Sequence, residues 1–335
     1  MNSSSAEISL APSPFRRAIV AAVAMATLMT AGCSAEHEQD RATPERSGVA
    51  TPHVLGSVAT GVIFVSNRSG SNEIYEKNLV SGQVTALTTG PGNHMNPQLS
   101  PNGQSLAFYS DESGSNQIET LNLASPADTT QLTHETGGVN DYDPTYTPDD
   151  HILYKKSDSN GAYGDIWEMN ADGSGQHAIT ASLRSHHQEG WKPAATDNNT
   201  TAIITIRAEQ GKPHSDNLYV LDLSTGATKP LTNDADSNWF PDYSVATGKV
   251  AYVTHPGDHD VINTMNLDGS DRKTIVDMPG DSDDPSWAPG DWLAYINNGT
   301  DHYNVWAVNV TTGQQVLLDT GPRGNNLSPL LINAG

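Results

Sequence analysis

The chain is poor in cysteine and in basic residues. Cys33 is the single cysteine among 335 residues, so no internal disulfide can form. Only 17 Lys and Arg residues stand against 39 Asp and Glu residues, which gives a formal net charge of -22. A chain of this charge is repelled by nucleic acid and by anionic lipid head groups. The composition therefore argues against nucleic acid as a partner.

The usual catalytic and cofactor motifs are also absent. The sequence has no Gly-x-Ser-x-Gly elbow, no Gly-x-x-x-x-Gly-Lys loop and no His-Glu-x-x-His helix. Asn170–Ser174 and Asn266–Ser270 resemble fragments of a calcium loop, but twelve-residue loops begun there end at Ala181 and Asp277 rather than at a bidentate Glu. We therefore expect Asp-Gly hairpin turns at both places, no cofactor and no enzyme activity.

One apolar run, Ala18–Thr30, follows Arg16-Arg17 and is too short to span a bilayer. The small residues before Cys33 resemble a bacterial lipoprotein cleavage site. This resemblance implies a signal peptide over residues 1–32 and lipidation of Cys33. An ordinary cleavage site with an unmodified cysteine is the alternative. Residues 33–56 are polar and predict a flexible tether.

From Gly61 onward the sequence repeats. A proline that opens a short strand recurs at spacings of 47, 49, 48, 44 and 44 residues. The short strand leads into a turn such as Pro101-Asn102-Gly103, and a second, more apolar strand follows the turn. A period of about 40–50 residues of strand and turn signals is typical of a propeller blade. The six leading prolines are Pro97, Pro144, Pro193, Pro241, Pro285 and Pro329.

Each repeat contains four strand-like segments, and the second segments number six. The fold class predicted is therefore all-β, a six-bladed β-propeller over residues 57–335 with four-stranded blades. The first repeat lacks its proline strand, whereas an unpaired segment, Ser328–Ile332, ends the chain. We expect this C-terminal strand to pair with Val62–Val65 of the N-terminal blade and to close the ring.

These motifs resemble the propeller repeats of the TolB family. The resemblance is carried by Ser286-Trp287-Ala288-Pro289, by Leu99–Gly103, by the turn Asn170–Gly173 and by closing pairs such as Leu87-Thr88. It covers the chain from about Gly61 onward. The fourth repeat departs from the pattern, with Thr196–Asn199 in place of Ser-Pro-Asp-Gly. The resemblance implies the propeller fold alone. TolB itself has a small α/β domain before its propeller, where we expect only a tether in this chain, so the resemblance does not extend to the role of TolB.

The candidate binding site consists of residues just before the leading prolines. In a propeller they enter the innermost strands and converge on one mouth of the central channel, where aromatic rings supply contact area and carboxylates orient a partner peptide. Packing of Tyr142, Trp191 and Trp239 between blades is the alternative. The candidate residues are His94, Met95, Asp141, Tyr142, Asp143, Trp191, Lys192, Trp239, Phe240, Asp283 and Asp284.

A metal site is a second interpretation of the same region. Histidine and carboxylate side chains could meet near the axis as ligands of a divalent cation, and TolB-type propellers resemble oligogalacturonate lyases, which hold a histidine-bound metal. Two of the histidines share one loop, which disfavours a site built from separate blades. The residues concerned are His94, Asp143, His186, His187, Glu189 and Asp283.

Three functions follow from these patterns. The first is a non-enzymatic, monomeric, lipid-anchored module outside the cytoplasm that binds a protein or peptide of the cell envelope. It would lie in the periplasm or at the outer membrane of a Gram-negative cell, or on the surface of a Gram-positive one. The second is a metal-dependent polysaccharide lyase or hydrolase, which the acidic composition disfavours because an anionic glycan requires a basic cleft. The third is a structural envelope component.

Overall fold

A computed structural model of the chain describes residue 55 and residues 59–157, 164–180, 192–207, 216–300, 302–321 and 324–333. Cys33, the predicted signal peptide and the predicted tether apart from Leu55 lie outside these residues. Leu55 is buried in the apolar cluster shared by blades 1 and 6. No helix in the described part of the chain is long and apolar enough to cross a membrane.

The described residues form six antiparallel sheets of four strands each. Blade 1 combines the last strand of the chain with the first three. Blade 1 consists of β24 (Asn326–Ile332), β1 (Gly61–Ser66), β2 (Glu73–Asn78) and β3 (Val84–Ala86). Blade 2 consists of β4 (His94–Leu99), β5 (Ser105–Ser110), β6 (Gln117–Asn122) and β7 (Ser125–Gln131). Blade 3 consists of β8 (Asp141–Tyr146), β9 (His151–Ser157), β10 (Gly164–Asn170) and β11 (His177–Ala178).

The other three blades use consecutive strands in the same order. Blade 4 consists of β12 (Ala194–Ala195), β13 (Thr201–Arg207), β14 (Asp216–Asp222) and β15 (Thr228–Pro230). Blade 5 consists of β16 (Asn238–Ser244), β17 (Lys249–Thr254), β18 (Val261–Asn266) and β19 (Lys273–Val276). Blade 6 consists of β20 (Ser282–Ala288), β21 (Trp292–Thr300), β22 (His302–Asn309) and β23 (Gln315–Asp319).

The leading strands of the blades contact one another in a closed cycle. Each of β4, β8, β12, β16 and β20 contacts the leading strand of the next blade, and β24 contacts both β20 and β4. The predicted six-bladed propeller is confirmed.

Alternating side chains give every sheet two apolar faces, and each face is buried against a neighbouring blade. In β1, Val62 and Phe64 lie in a cluster shared with blade 6, while Ile63 and Val65 lie in a cluster shared with blade 2. Four further clusters fill the other spaces between blades. Because no blade buries both faces alone, the ring is the unit that folds.

The two ends of the described propeller meet in blade 1, as the sequence predicts. Val62 is paired with Leu331 and Ile63 with Leu330 in the antiparallel ladder between β1 and β24. A cluster of polar side chains reinforces this junction. Nη2 of Arg68 lies 2.6 Å from Oδ2 of Asp319 in blade 6, and Nζ of Lys77 lies 3.0 Å from Oδ1 of the same residue.

The Leu-Thr pairs follow the fourth strands rather than end them. In blade 4 the Thr232 hydroxyl accepts a hydrogen bond from the amide of Leu218 at 2.9 Å and donates one to Oδ1 of Asn217 at 2.9 Å. Thr88, Thr133 and Thr180 receive the equivalent amide hydrogen bond in blades 1, 2 and 3. The hydroxyl thus continues the ladder where the fourth strand stops, because a buried amide needs a partner.

The turns agree with their sequence patterns. At Asn170–Ser174 and Asn266–Ser270 the aspartate accepts a hydrogen bond from the serine amide two residues later, which closes a hairpin as expected. The irregular fourth repeat makes the same turn as the second: Oδ1 of Asn198 accepts from the Thr196 hydroxyl at 2.9 Å, as Oδ1 of Asn102 does from Ser100.

Candidate functional site

The residue before each leading proline has a left-handed backbone. These six residues, which we call the pre-proline belt, have φ between 22° and 53°. In blades 1, 2, 3, 5 and 6 the ladder register also shifts at this point, as in a β-bulge. Proline is tolerated there because a bulge requires no ladder hydrogen bond from it. The belt consists of Asn96, Asp143, Lys192, Phe240, Asp284 and Ser328.

Hydrogen bonds connect the belt residues of successive blades. From blade 6 to blade 2, Oδ2 of Asp284 accepts from the Ser328 amide at 3.2 Å, and the Ser328 hydroxyl donates to Oδ1 of Asn96 at 2.6 Å. The chain of contacts continues to blade 4: Nδ2 of Asn96 donates to Oδ1 of Asp143, whose Oδ2 accepts from the Lys192 amide at 3.3 Å. Five of the six belt residues therefore form one network around the ring.

The two carboxyl groups of the belt, Asp143 and Asp284, and the nearby Asp242 have pKa values above the usual range for aspartate. Burial raises the pKa of Asp143, and Lys155 is the main charge that opposes the rise. Burial also raises the pKa of Asp284 and of Asp242, with Lys192 as the main opposing charge in both cases. A cation brought close to these groups would favour their charged forms and be attracted in return.

The belt residue Phe240 and the neighbouring Tyr142 supply aromatic surface, and both are half-buried. The Tyr142 ring meets that of Tyr109 edge-on, with centroids 5.4 Å apart, and Nζ of Lys155 lies 5.9 Å from its centroid. Phe240 has a φ of 48°, which is rare for a bulky residue. Backbone strain of this kind is concentrated at functional sites.

Asp283 forms an acidic sector with loops of blades 5 and 6. Burial raises the pKa of Asp283 well above its usual range, and the neighbouring Asp260 and Asp284 add to the rise. Its Oδ2 accepts a hydrogen bond from the Tyr303 hydroxyl at 3.2 Å. Burial also raises the pKa of Asp260 to about 6, although His255 contacts its Oδ1 at 2.7 Å.

Besides the buried belt residues Asp143 and Lys192, four of the predicted site residues are buried. Nδ1 of His94 lies 2.9 Å from Oε2 of Glu73 in blade 1, and Asp141 is fully buried. Met95 and Trp239 are each 9 % exposed, and Met95 belongs to the apolar cluster between blades 1 and 2. These side chains offer little surface to a ligand and chiefly support the leading strands.

Trp191, His186, His187 and Glu189 lie outside the described residues. Within the described part of the chain, no group of three or more His, Cys, Asp or Glu side chains is arranged to hold a metal ion.

The structure brings together Asp143, Lys192 and Asp284 and adds residues that sequence reasoning did not assign to the site. Asn96 and Ser328 carry the same signal as the others, since each precedes a leading proline. Asp242 and Tyr109 carry no such signal, because their side chains reach the belt only through the sheet geometry. Burial and the nearby Asp143 raise the pKa of Tyr109 well above its usual range.

Fold and site define a closed six-bladed β-propeller in which five of the six pre-proline residues form a hydrogen-bonded network. The sequence profile of the TolB beta propeller domain (PD40) matches residues 46–291. The chain therefore belongs to the TolB beta propeller domain family, as the repeats predict.

Similar proteins agree with this assignment. The chain is 27% identical over 176 residues to a TolB homolog of Chlorobium luteolum. The aligned segment covers 52% of this chain and 36% of the relative. It thus aligns with about a third of that protein's length. The crystal structure of TolB from Acinetobacter baumannii is similar with a TM-score of 0.68 at 17% identity, over 82% of this chain and 67% of that one.

A lyase is a more distant structural neighbour. An oligogalacturonate lyase in complex with manganese has a TM-score of 0.51 and 17% identity, over 78% of this chain and 74% of that one. At this identity the similarity concerns the fold alone.

Proposed function

We propose that this protein is a non-enzymatic binding module that holds a protein or peptide of the cell envelope at the mouth surrounded by the pre-proline belt. The observation that carries the proposal is the belt itself: the buried Asp143 and the half-buried Asp284 are linked to neighbouring blades by hydrogen bonds, and the half-buried side chains of Tyr142, Phe240 and Asp283 lie at or next to the belt. The rings supply contact area, and the carboxylates orient the partner.

The charge of the mouth selects the partner. The pKa values of Asp143, Asp242 and Asp284 are raised by burial, and the net charge of the whole chain is -22. A segment that presents a lysine or arginine beside an apolar residue would neutralise these carboxyl groups and be steered to the acidic surface.

Two variants and a control test this function. We expect Asp284→Asn and Tyr142→Ala each to reduce capture of an envelope protein by the purified propeller about tenfold or more. Asp222→Asn, in an exposed hairpin turn of blade 4, should capture as much as the native chain. If Asp284→Asn and Tyr142→Ala captured as much of the envelope protein as the native chain and the control do, the partner would bind at another surface.

We further propose an extracytoplasmic, monomeric lipoprotein anchored through Cys33, in keeping with its likeness to TolB proteins. Palmitate should label the native chain and not Cys33→Ala, and light scattering should give the mass of one chain. An unlabelled native chain would leave the alternative of an ordinary cleaved signal peptide.

A metal-dependent lyase is the competing function, and the distant fold likeness to the manganese-bound oligogalacturonate lyase is its motive. Elemental analysis of the purified protein decides between the two. A stoichiometric divalent metal would support the lyase, whereas protein without metal that still captures its partner supports the binding module.

A further inference from the structure

A groove with a volume of about 420 Å³ lies between blades 5 and 6. Thr247 and Asp291, which line it, belong to the hairpins that follow the leading strands β16 and β20, whereas the pre-proline belt lies near the beginning of those strands. The groove therefore opens at the other end of the leading strands. We call it the blade 5–6 groove.

One wall of the groove is aromatic and aliphatic. Trp287 is half-buried and packs with Ile275 and Val310 over the apolar cluster between the two blades. The position three residues after the belt residue packs between blades throughout the ring, and blade 6 alone places a tryptophan there. The corresponding residues are Leu99, Tyr146, Ala195, Tyr243, Trp287 and Leu331.

The rest of the lining is polar and its charges balance. Nζ of Lys249 lies 2.5 Å from Oδ2 of Asp271, and the Thr311 hydroxyl donates to Oδ2 of Asp291 at 3.0 Å. Lys273 is the remaining charged residue of the lining. The lining thus contains two lysines and two aspartates and has no net charge, although the net charge of the whole chain is -22. A groove without net charge does not favour a ligand ion of either sign.

Two polar atoms of lining residues have no hydrogen-bond partner in the described part of the chain. They are Nε1 of Trp287 and Oγ1 of Thr247, and both are buried. An unsatisfied buried polar group costs roughly as much as a lost hydrogen bond, so each would gain from a ligand oxygen. Both atoms are buried, so a ligand oxygen would reach them only after a rotation of the side chain.

We propose that the blade 5–6 groove binds a neutral oligosaccharide. A pyranose ring presents C–H groups on its faces and hydroxyl groups at its edge. The faces suit the indole of Trp287, and the hydroxyls suit the carboxylates, ammonium groups and hydroxyls around it. The volume lies within the range of about 300–1,000 Å³ found for small-molecule sites. The absence of a net charge in the lining distinguishes this ligand from an acidic glycan or a charged peptide.

The test titrates the full-length protein with cellotriose, maltotriose and triacetylchitotriose. Binding is followed by tryptophan fluorescence and by saturation transfer from protein to sugar. We expect at least one of these sugars to bind saturably in the millimolar range or below, and trigalacturonate to bind more weakly. Failure of all three neutral sugars to saturate, or equal binding of trigalacturonate, would overturn the proposal.

Variants locate the binding. Trp287→Leu keeps an apolar side chain but removes the ring, and should weaken binding about tenfold or more. Trp167→Leu, on β10 of blade 3, is the matched control and should bind as the native chain does. Undiminished binding by a folded Trp287→Leu chain would contradict the assignment to this groove.

Asp291→Asn provides a second test should Trp287→Leu fail to fold. The φ of residue 291 is 62°, a conformation that asparagine tolerates as aspartate does. The variant should weaken sugar binding about threefold or more, and unchanged affinity would count against the groove. The belt variant Asp284→Asn should leave sugar binding intact, so the proposal stands or falls independently of the partner at the mouth.

Discussion

At the scale of single residues, the pre-proline positions show how backbone and side chain act together. A bulge lets the leading strand bend and turns one side chain per blade toward its neighbours. Asparagine and aspartate tolerate the left-handed backbone there, whereas Phe240 and Lys192 adopt it against their preference. The surrounding blades must therefore hold these two residues in place, which is the reason to look for function at them.

Asp141 provides a pH-dependent prediction at the same scale. Burial raises its pKa to about 7, with Lys156 opposing and Glu135 adding to the rise. The folded chain therefore retains a proton between about pH 4 and pH 7 that the unfolded chain releases, so this carboxyl lowers stability as pH rises through that window. We expect Asp141→Asn to abolish this pH-dependent loss, which is on the order of 2–4 kcal/mol in the free energy of unfolding.

Urea unfolding at pH 5, 6, 7 and 8 measures this effect. The free energies of unfolding of the native and Asp141→Asn chains should diverge as pH rises toward 7 and stay parallel above it, with the variant less sensitive to pH. Asp128→Asn, at an exposed position of β7, should follow the native chain. A native and an Asp141→Asn curve that remain parallel throughout would show that Asp141 ionises normally.

At the scale of strands and blades, the threonine after the fourth strand extends a short ladder. Thr232→Val keeps the shape of the side chain but leaves the buried amide of Leu218 and Oδ1 of Asn217 without this partner. We expect the free energy of unfolding to fall by about 1–3 kcal/mol in urea titrations. Thr130→Val, at an exposed position of β7, should change it by less than about 0.5 kcal/mol. An equal effect of both substitutions would deny the hydroxyl its role.

The strands were largely predictable from the sequence because each depends on local signals. Alternation in Val62–Val65 and the turn after Leu99 specify strand and hairpin without reference to the rest of the chain. The site was less predictable. His94 and Met95 stand at the predicted positions, yet their side chains pack against blade 1, whereas Asp242 lies close to the belt without any repeat signal. Side-chain direction at a bulge depends on tertiary contacts that spacing does not encode.

At the scale of the whole molecule, a junction between the first and last blades holds the ring closed. The Asp319 carboxylate meets both Arg68 and Lys77 there. Burial alone would raise the pKa of Asp319, but the hydrogen bonds from these two cations hold it below its usual value. The stabilisation that the ionised Asp319 provides is fully present above about pH 4 and is lost as pH falls through the pKa of Asp319 in the folded chain.

Removal of that carboxylate leaves Arg68 and Lys77 without their anionic partner at a half-buried junction, where only neutral acceptors and aromatic rings remain. We expect Asp319→Ala to lower the free energy of unfolding by about 3 kcal/mol at pH 7. The deficit should shrink at low pH, where the native carboxyl is protonated. Asp271→Asn, which removes the charge of an exposed pair with Lys249 and tolerates the φ of 52° at this position, should cost less than about 1 kcal/mol. A deficit for Asp319→Ala that does not change with pH would mean that packing rather than charge is lost.

Closure by β24 is the feature on which the whole ring depends. A chain that ends at Gly324 would leave β1 as an exposed edge and uncover the apolar faces that Leu330, Leu331 and Ile332 bury. Because each blade is stabilised only by its neighbours, we expect the loss to spread around the ring: unfolding followed by circular dichroism should become broad, and the chain should aggregate. A synthetic peptide of residues 325–333, added in excess, should restore a sharp transition by supplying the missing strand. A shortened chain that unfolds as cooperatively as the full one would show that the other five blades hold together without closure.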